Sequence, residues 1–134
     1  MIATLVDTSV LLDLATDDPH WSDWSVRALE TAAIRGPLLI NDVIYSELSV
    51  RFPTVEGLNQ FVDAAGLEHT AMPRASLFLA GKVFRKYRSA GGARHGVLPD
   101  FLIGAQAAVL DVPLLTRDAG RYHTYFPRLV LVTP

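Results

Sequence analysis

Short apolar runs in this chain alternate with longer segments in which apolar residues recur at helical spacing. The runs have the length and branched residues of buried strands, and they predict strands at 2–6, 38–40, 67–72, 114–115 and 129–132. The longer segments predict helices over 9–14, 20–35, 42–52, 54–65, 73–89, 99–111 and 118–122. Short strands alternating with helices indicate an α/β fold whose parallel sheet is covered on both faces.

Length and composition favour one globular domain over residues 1–134, because half of the residues are hydrophobic and no linker or repeat interrupts the chain. The chain has no cysteine, which excludes disulfides, zinc–thiolate sites and cysteine nucleophiles. A net charge of -2 gives no global indication of nucleic acid. No segment approaches the roughly 18 apolar residues that cross a bilayer, so we expect a cytoplasmic protein with no membrane partner.

Four acidic residues stand where the fold alone does not require them. Asp7 directly follows the first predicted strand, and Asp118 follows the fourth. Glu47 lies on a mainly apolar helix face, and Asp100 opens the apolar helix FLIGAQAAVL. Because parallel sheets bind ligands beyond the carboxyl ends of their strands, we expect these four carboxylates to meet at one edge.

Each acid also has an ordinary structural explanation. Asp7 could accept a hydrogen bond from an amide of the next helix, and Glu47 could form an ion pair with Arg51. Asp100 and Asp118 could serve the first turns of their helices, where the helix dipole favours a negative charge. For each acid taken singly, both interpretations stay open.

The number of acids favours a metal site. Two carboxylates about 4 Å apart repel by roughly 4 kcal/mol at an effective dielectric constant near 20, so four together require a cation. Oxygen ligands without cysteine favour Mg²⁺ or Mn²⁺ over zinc. Such ions bind phosphate oxygens and activate water, so the pattern predicts metal-dependent phosphoester hydrolysis with Asp7 as a metal ligand.

A basic stretch separates Glu68 from Asp100, and no acidic residue lies between them. It contains half of the lysines and arginines of the chain: Arg74, Lys82, Arg85, Lys86, Arg88 and Arg94. Lys82, Arg85 and Lys86 share one helix face, and Arg94 belongs to a glycine-rich loop. This pattern favours a surface that binds a phosphate backbone, with a solvated helix face as the alternative.

Four motifs together resemble the PIN-domain family, and most closely its VapC toxins. They are VDTSVLLDL at the start, SEL around Glu47, PDFLIGAQA around Asp100 and TRD at 116–118, and the resemblance extends to the ending TYFPRLVLV. It implies a three-layer α/β/α fold with a central parallel sheet of four to five strands. It further implies a Mg²⁺- or Mn²⁺-dependent endoribonuclease, a homodimer, and a cognate VapB-like antitoxin whose C-terminal segment blocks the site.

Carried over position by position, the family's catalytic acids fall on Asp7, Glu47, Asp100 and Asp118. The resemblance implies that the three aspartates hold the metal and that the glutamate completes its shell or orients the attacking water. The family's assisting hydroxyls fall on Ser9 and Thr116, which could instead be helix caps. After Asp118 the chain lacks the further acid that some relatives carry, so the number of ions stays open.

Other functions fit parts of the pattern. A phosphatase with an aspartyl-phosphate intermediate would also have its nucleophile at Asp7, although Ser9 stands where such enzymes usually carry a second aspartate. A nuclease of DNA flaps shares the fold but needs additional elements to grip DNA. A non-catalytic RNA- or partner-binding module on a PIN scaffold is the alternative from another class. Trp21, Trp24 and Phe52 could be core residues or could line a groove for an antitoxin helix.

Overall fold

The chain folds around a five-stranded parallel sheet in a computed structural model that describes residues 1–93 and 96–134. The strands are β1 (Thr4–Val6), β2 (Leu38–Ile40), β3 (Leu67–His69), β4 (Leu114–Leu115) and β5 (Leu131–Val132). Their order across the sheet is β3-β2-β1-β4-β5, and every neighbouring pair is parallel. The predicted parallel sheet is therefore confirmed.

Seven helices connect these strands within the described residues. They are α1 (Thr8–Ala15), α2 (Ser22–Arg35), α3 (Asp42–Ser49), α4 (Val55–Ala64), α5 (Arg74–Ser89), α6 (Leu98–Leu110) and α7 (Ala119–Tyr125). The chain moves from β1 to β3 in one direction across the sheet and reaches β4 and β5 in the other. Right-handed crossovers therefore place α1–α4 on one face and α5–α7 on the other, which is the expected three-layer arrangement.

The predicted strands at the two sheet edges are too long. β3 ends at His69 rather than at residue 72, because its one partner, β2, ends at Ile40, with which His69 is in register. β5 begins at Leu131 rather than at residue 129, because it pairs only with the two-residue strand β4. In both cases the length of the neighbouring strand limits the hydrogen-bond ladder.

Apolar side chains from both helical layers pack against the sheet. Leu5 and Val6 of β1 are fully buried, as is Phe101 on α6. The ring of Phe101 packs against Tyr87 and Tyr125 at centroid distances of 5.4 and 5.3 Å. No helix in residues 1–93 and 96–134 combines the length and hydropathy needed to cross a membrane.

The chain order reverses between β1 and β4, which lie side by side at the centre of the sheet. Val6 is in register with Leu115, and the amide of Asp7 donates a hydrogen bond to the Leu115 carbonyl at 2.8 Å. Ligands of such sheets bind in the crevice beyond these strand ends. The topology therefore brings the segments after β1 and β4 to the same place.

Candidate active site

A small cleft at the carboxyl ends of β1 and β4 contains all four predicted acids. Its volume is about 230 Å³, and the residues that line it are Asp7, Thr8, Ser9, Leu12, Glu47, Asp100 and Asp118. The acids come from separate segments: the end of β1, helix α3, the first turn of α6 and the start of α7. The structure thus brings the predicted acids and Ser9 together.

Asp7 is the buried acid of the cleft, with 6% of its surface exposed. Its Oδ1 accepts a hydrogen bond from the amide of Thr8 at 2.8 Å, so Asp7 also caps α1. Its Oδ2 accepts hydrogen bonds from the hydroxyls of Thr116 at 2.6 Å and Ser9 at 3.3 Å. Asp7 therefore both caps α1 and lines the cleft.

The pKa of Asp7 reflects its burial and, to a smaller extent, the negative charges nearby. Burial raises this pKa to about 6, against the lowering effect of the hydrogen bond from Thr116, and the charges of Asp100 and Glu47 add to the rise. The folded chain therefore disfavours a fully ionised set of cleft acids, and a cation would relieve this repulsion.

Thr116 connects the end of β4 to the first acid. Its Oγ1 donates to Asp7 and accepts the amide hydrogen of Asp118 at 3.0 Å. The side chain is fully buried, behind Asp7 rather than on the cleft wall. This position suits a residue that orients Asp7, whereas contact with a substrate would require the cleft to open.

Glu47 is held by a residue that the sequence analysis left without a role. Its Oε1 accepts a hydrogen bond from the hydroxyl of Thr8 at 2.6 Å. The alternative ion pair between Glu47 and Arg51 does not form within the described residues, and Arg51 is exposed beyond the end of α3. The one local indication of a role for Thr8 was its position directly after an acid at the end of a strand.

Asp100 forms an ion pair with Arg121, which is not among the residues that line the cleft. The Arg121 guanidinium on α7 donates from Nη1 to Asp100 Oδ2 at 2.5 Å, and the two side chains are 33% and 27% exposed. Burial raises the pKa of Asp100, the bond from Arg121 opposes this rise, and the charge of Asp118 adds to it. Asp118 itself is exposed and makes no side-chain cap to α7.

The donor chemistry of the cleft fits a hard dication, because its polar side chains offer only carboxylate and hydroxyl oxygens. The carboxylates do not converge on one point: in the part of the chain that the structure describes, no three acidic or histidine side chains form a group able to hold an ion. Asp7, Glu47 and Asp100 are instead hydrogen-bonded to donors of the chain itself. A metal ion would therefore compete with these donors for the carboxylate oxygens, or use the oxygen positions that they leave free.

A second ion pair fixes the segment that carries Asp118. Arg117 donates from Nε and Nη2 to the two oxygens of Asp13 at 2.6 and 3.0 Å, and Ser25 donates to the same carboxylate at 2.7 Å. The guanidinium also lies 5.0 Å from the centre of the Trp21 ring. No local sequence pattern predicts this cluster, because its partners are far apart in the chain.

The predicted basic surface is exposed but separate from the cleft wall. Lys82, Arg85 and Lys86 point to solvent on α5, while Tyr87 packs against the core. None of these three basic residues lines the acidic cleft in the described structure. Arg94, which we predict to bind substrate, lies outside the described residues.

The three aromatic residues considered for partner binding have different environments. Trp21 packs on Arg117, and Phe52 packs on Phe61 with ring centroids 5.3 Å apart. Trp24 lines a separate groove of about 300 Å³ formed mainly by α2 and the end of the chain. The residues that line this groove include two arginines and no acid, so the metal chemistry predicted above belongs to the smaller cleft.

Comparison with known proteins relates this geometry to a family. The PIN domain profile matches residues 4–127. No curated protein matches the chain.

Solved structures with similar folds come from toxin–antitoxin complexes. VapBC2 from Rickettsia felis, bound to a DNA fragment from its promoter, has 18% identity and a TM-score of 0.77 over 99% of both chains. VapBC-1 from nontypeable Haemophilus influenzae has 13% identity and a TM-score of 0.73 over 98% of both chains. A toxin–antitoxin complex from Klebsiella pneumoniae has 20% identity and a TM-score of 0.67, covering 98% of this chain and 97% of that one. The similarity in structure agrees with the profile match, and the chain belongs to the PIN domain family.

Proposed function

We propose that this chain is a single PIN domain over residues 1–134 and the toxin of a VapBC-type pair, acting as a Mg²⁺- or Mn²⁺-dependent endoribonuclease. The observation that carries the proposal is the meeting of Asp7, Glu47, Asp100 and Asp118 in one cleft at the switch point of the sheet. Membership of the PIN family and the fold shared with VapBC structures support it.

Asp7, Asp100 and Asp118 would hold the ion, directly or through water. Glu47 would complete the shell or orient the attacking water. Bound there, Mg²⁺ or Mn²⁺ would supply charge stabilisation to the phosphodiester and lower the pKa of a water molecule.

The hydroxyl residues of the chain keep these acids in place. Ser9 and Thr116 donate to Asp7, and Thr8 donates to Glu47. Glu47, in the role of orienting the attacking water, would accept a proton from it as it attacks phosphorus. The bond from phosphorus to the 3′ oxygen would break as the new bond forms, and the 3′ oxygen would take a proton from solvent, which leaves a 5′-phosphate and a 3′-hydroxyl.

The basic residues would bind the RNA backbone outside the cleft. Lys82, Arg85 and Lys86 present exposed positive charges on α5, and Arg94 would extend this surface. Mapping the 5′ ends of cellular transcripts after brief induction would identify the RNA that is cut.

The partners that we propose are a cognate VapB-like antitoxin and a second copy of the chain, both in the cytoplasm. The antitoxin proposal rests on the VapBC complexes whose fold this chain shares. An arginine of the antitoxin could pair with the cleft acids as a substitute cation. Co-purification with the product of a neighbouring gene tests the antitoxin, and light scattering of the purified chain tests the dimer.

A non-catalytic RNA- or partner-binding module is the second candidate. It would explain why Asp7, Glu47 and Asp100 are held by donors of the chain rather than gathered around one point. The two candidates differ in one measurable property, which is the dependence of RNA cleavage on a divalent ion.

Cleavage of total cellular RNA by the purified protein, with MgCl₂, MnCl₂ or EDTA, tests the proposal. Wild type should cut RNA with either ion, and EDTA should stop it. Asp7→Asn should reduce cleavage by at least about a hundredfold, because it removes a metal ligand. Its melting temperature should stay similar or rise, since asparagine keeps the bond from Thr8 without burying a charge.

Arg51→Gln is the matched control, because Arg51 is exposed and lies outside the cleft. It should cleave RNA like wild type. Normal cleavage by Asp7→Asn, or wild-type cleavage that persists in EDTA, would contradict the proposed metal-dependent mechanism.

A further inference from the structure

Arg121 holds one of the four cleft acids in a contact that the fold does not require. Its Nη1 lies 2.5 Å from Asp100 Oδ2, and both side chains remain partly open to solvent. Other residues attach α7 to the core: Tyr122 and Phe126 are buried, and a Cβ atom at Gly104 would lie 2.5 Å from the Phe126 ring. The guanidinium is therefore not needed to anchor its helix.

Asp100 does not need an arginine to begin its helix, although Arg121 offsets part of the rise in its pKa that burial causes. Asp100 lies in the first turn of α6, where the free amides and the helix dipole already favour a negative charge. The ion pair therefore acts on the charge of the cleft rather than on the stability of the helix end.

Arg121 is not a lining residue of the cleft, but through Asp100 it acts as the internal cation of the cleft acids. Of the basic residues that the structure describes, it alone forms an ion pair with a cleft acid. A guanidinium stays protonated throughout the physiological range, so it competes with a dication for Asp100 at every relevant pH. Its single charge offsets one of the four carboxylates, and the remaining charge still favours a dication.

We infer that Arg121 exchanges partners at the cleft: it leaves Asp100 when that carboxylate binds a divalent ion, and it then binds a phosphate of the RNA. The inference rests on the proposed nuclease function and adds Arg121 to the substrate-binding residues. The exchange is chemically matched, because the planar fork of N–H donors in arginine fits carboxylate and phosphate groups alike. It also accounts for the separation of the acids, since Asp100 stays with Arg121 until an ion takes it.

Titration with Mn²⁺ in the absence of RNA tests the first half of the exchange. By calorimetry, Arg121→Gln should bind Mn²⁺ at least about threefold more tightly than wild type, because Asp100 no longer has an internal cation to release. Arg121→Lys should lie between the two proteins. Arg51→Gln removes an exposed arginine outside the cleft and should keep the wild-type affinity.

Fluorescence anisotropy with a labelled single-stranded RNA oligonucleotide in CaCl₂ tests the second half. Arg121→Gln should bind this RNA at least about threefold more weakly than wild type, while Arg121→Lys keeps part of the affinity. A third measurement needs no variant: in ¹⁵N-labelled wild type, the Nε–H signal of Arg121 should shift as MgCl₂ is added.

Three results would each overturn the exchange: equal or weaker Mn²⁺ binding by Arg121→Gln, unchanged RNA binding by that variant, or an Arg121 signal that does not respond to MgCl₂. The proposed nuclease survives any of these as long as wild type binds Mn²⁺ and cleaves RNA. A wild type that binds no Mn²⁺ and leaves RNA uncut would overturn both.

Discussion

Two arginine–aspartate pairs of this chain have their arginines four residues apart, at 117 and 121. They differ in how many hydrogen bonds the carboxylate accepts and in how far it is exposed to solvent. Asp13 is 3% exposed and accepts two hydrogen bonds from Arg117 and a third from Ser25. Asp100 is 27% exposed and accepts one contact from Arg121. The first carboxylate is nearly saturated and dry, whereas the second keeps free oxygen positions that face a cleft.

This difference separates a structural pair from an exchangeable one. Exchange at Asp13 would leave a buried charge without a partner, which costs several kcal/mol. Exchange at Asp100 costs far less, because water or another cation can replace the guanidinium at once. Arg117 thus fixes the segment between β4 and α7, and Arg121, one helical turn later, is free to respond to ligands.

The largest expected effect comes from replacing each arginine by methionine, which keeps much of the apolar stem. Arg117→Met should lower the free energy of unfolding by about 3 to 5 kcal/mol, because Asp13 stays buried without its partner. Arg121→Met should lower it by less than about 1 kcal/mol. Urea denaturation at pH 7 without divalent ions measures both values.

A double variant shows how much of the stability loss comes from the unpaired charge of Asp13. Adding Asp13→Asn to Arg117→Met should restore part of the lost stability, because it removes the unpaired charge. Similar losses for the two single methionine variants would show that the two pairs do not differ in the way described.

The burial of Asp7 beside other acids predicts a pH dependence of intermediate size. Burial raises the pKa of Asp7 from 3.8 to about 6, so between these values the folded state binds more protons than the unfolded state. This contribution is fully present below about pH 3.8 and is lost as the pH rises through about 6. Relative to Asp7→Asn, wild type without divalent ions should lose roughly 3 kcal/mol of unfolding free energy across this window.

Denaturation of both proteins at several pH values between 4 and 7 checks this prediction. Because asparagine does not titrate, acids remote from Asp7 cancel in the difference, which leaves Asp7 and its electrostatic coupling to Asp100 and Glu47. A difference that stays constant, or that grows in favour of wild type as the pH rises, would contradict the raised pKa of Asp7.

The residues that could be predicted from the sequence carry local signals. An apolar run that ends in an acid marks Asp7 at a strand end, and an acid at the start of an apolar helix marks Asp100. The parallel sheet follows from alternating elements, and its switch point then brings these acids together. The strand ends at the sheet edges were wrong, because the length of the partner strand is not a local property.

The residues that could not be predicted depend on contacts between distant parts of the chain. Arg117 and Asp13 are 104 positions apart, and a charge within LLDL on α1 gives no sign of burial. The sequence after Asp118 showed that a further acid is missing, but not that Arg121 turns towards Asp100. Such contacts follow from the packing of α7 beside α6, which no local pattern describes.

The smallest expected effect concerns a histidine–aspartate contact, which extends the comparison to a more exposed carboxylate. His69 Nε2 lies 2.6 Å from Asp42 Oδ1, and the two side chains are 42% and 74% exposed. If saturation and burial decide the strength of a pair, Asp42→Asn should change the free energy of unfolding by less than about 1 kcal/mol, including its effect at the start of α3.

The neighbouring residue provides the positive control for the same helix end. Asn41 is fully buried, accepts the amide hydrogen of Ile44 at 2.9 Å and donates to Gln106 at 2.7 Å. Asn41→Ala should therefore cost about 1 to 2 kcal/mol or more in the same urea experiment. If Asp42→Asn loses as much stability as Asn41→Ala, solvent exposure does not determine how much these polar contacts contribute to the free energy of unfolding. Arg121 could then no longer be treated as exchangeable because its pair with Asp100 is partly open to solvent.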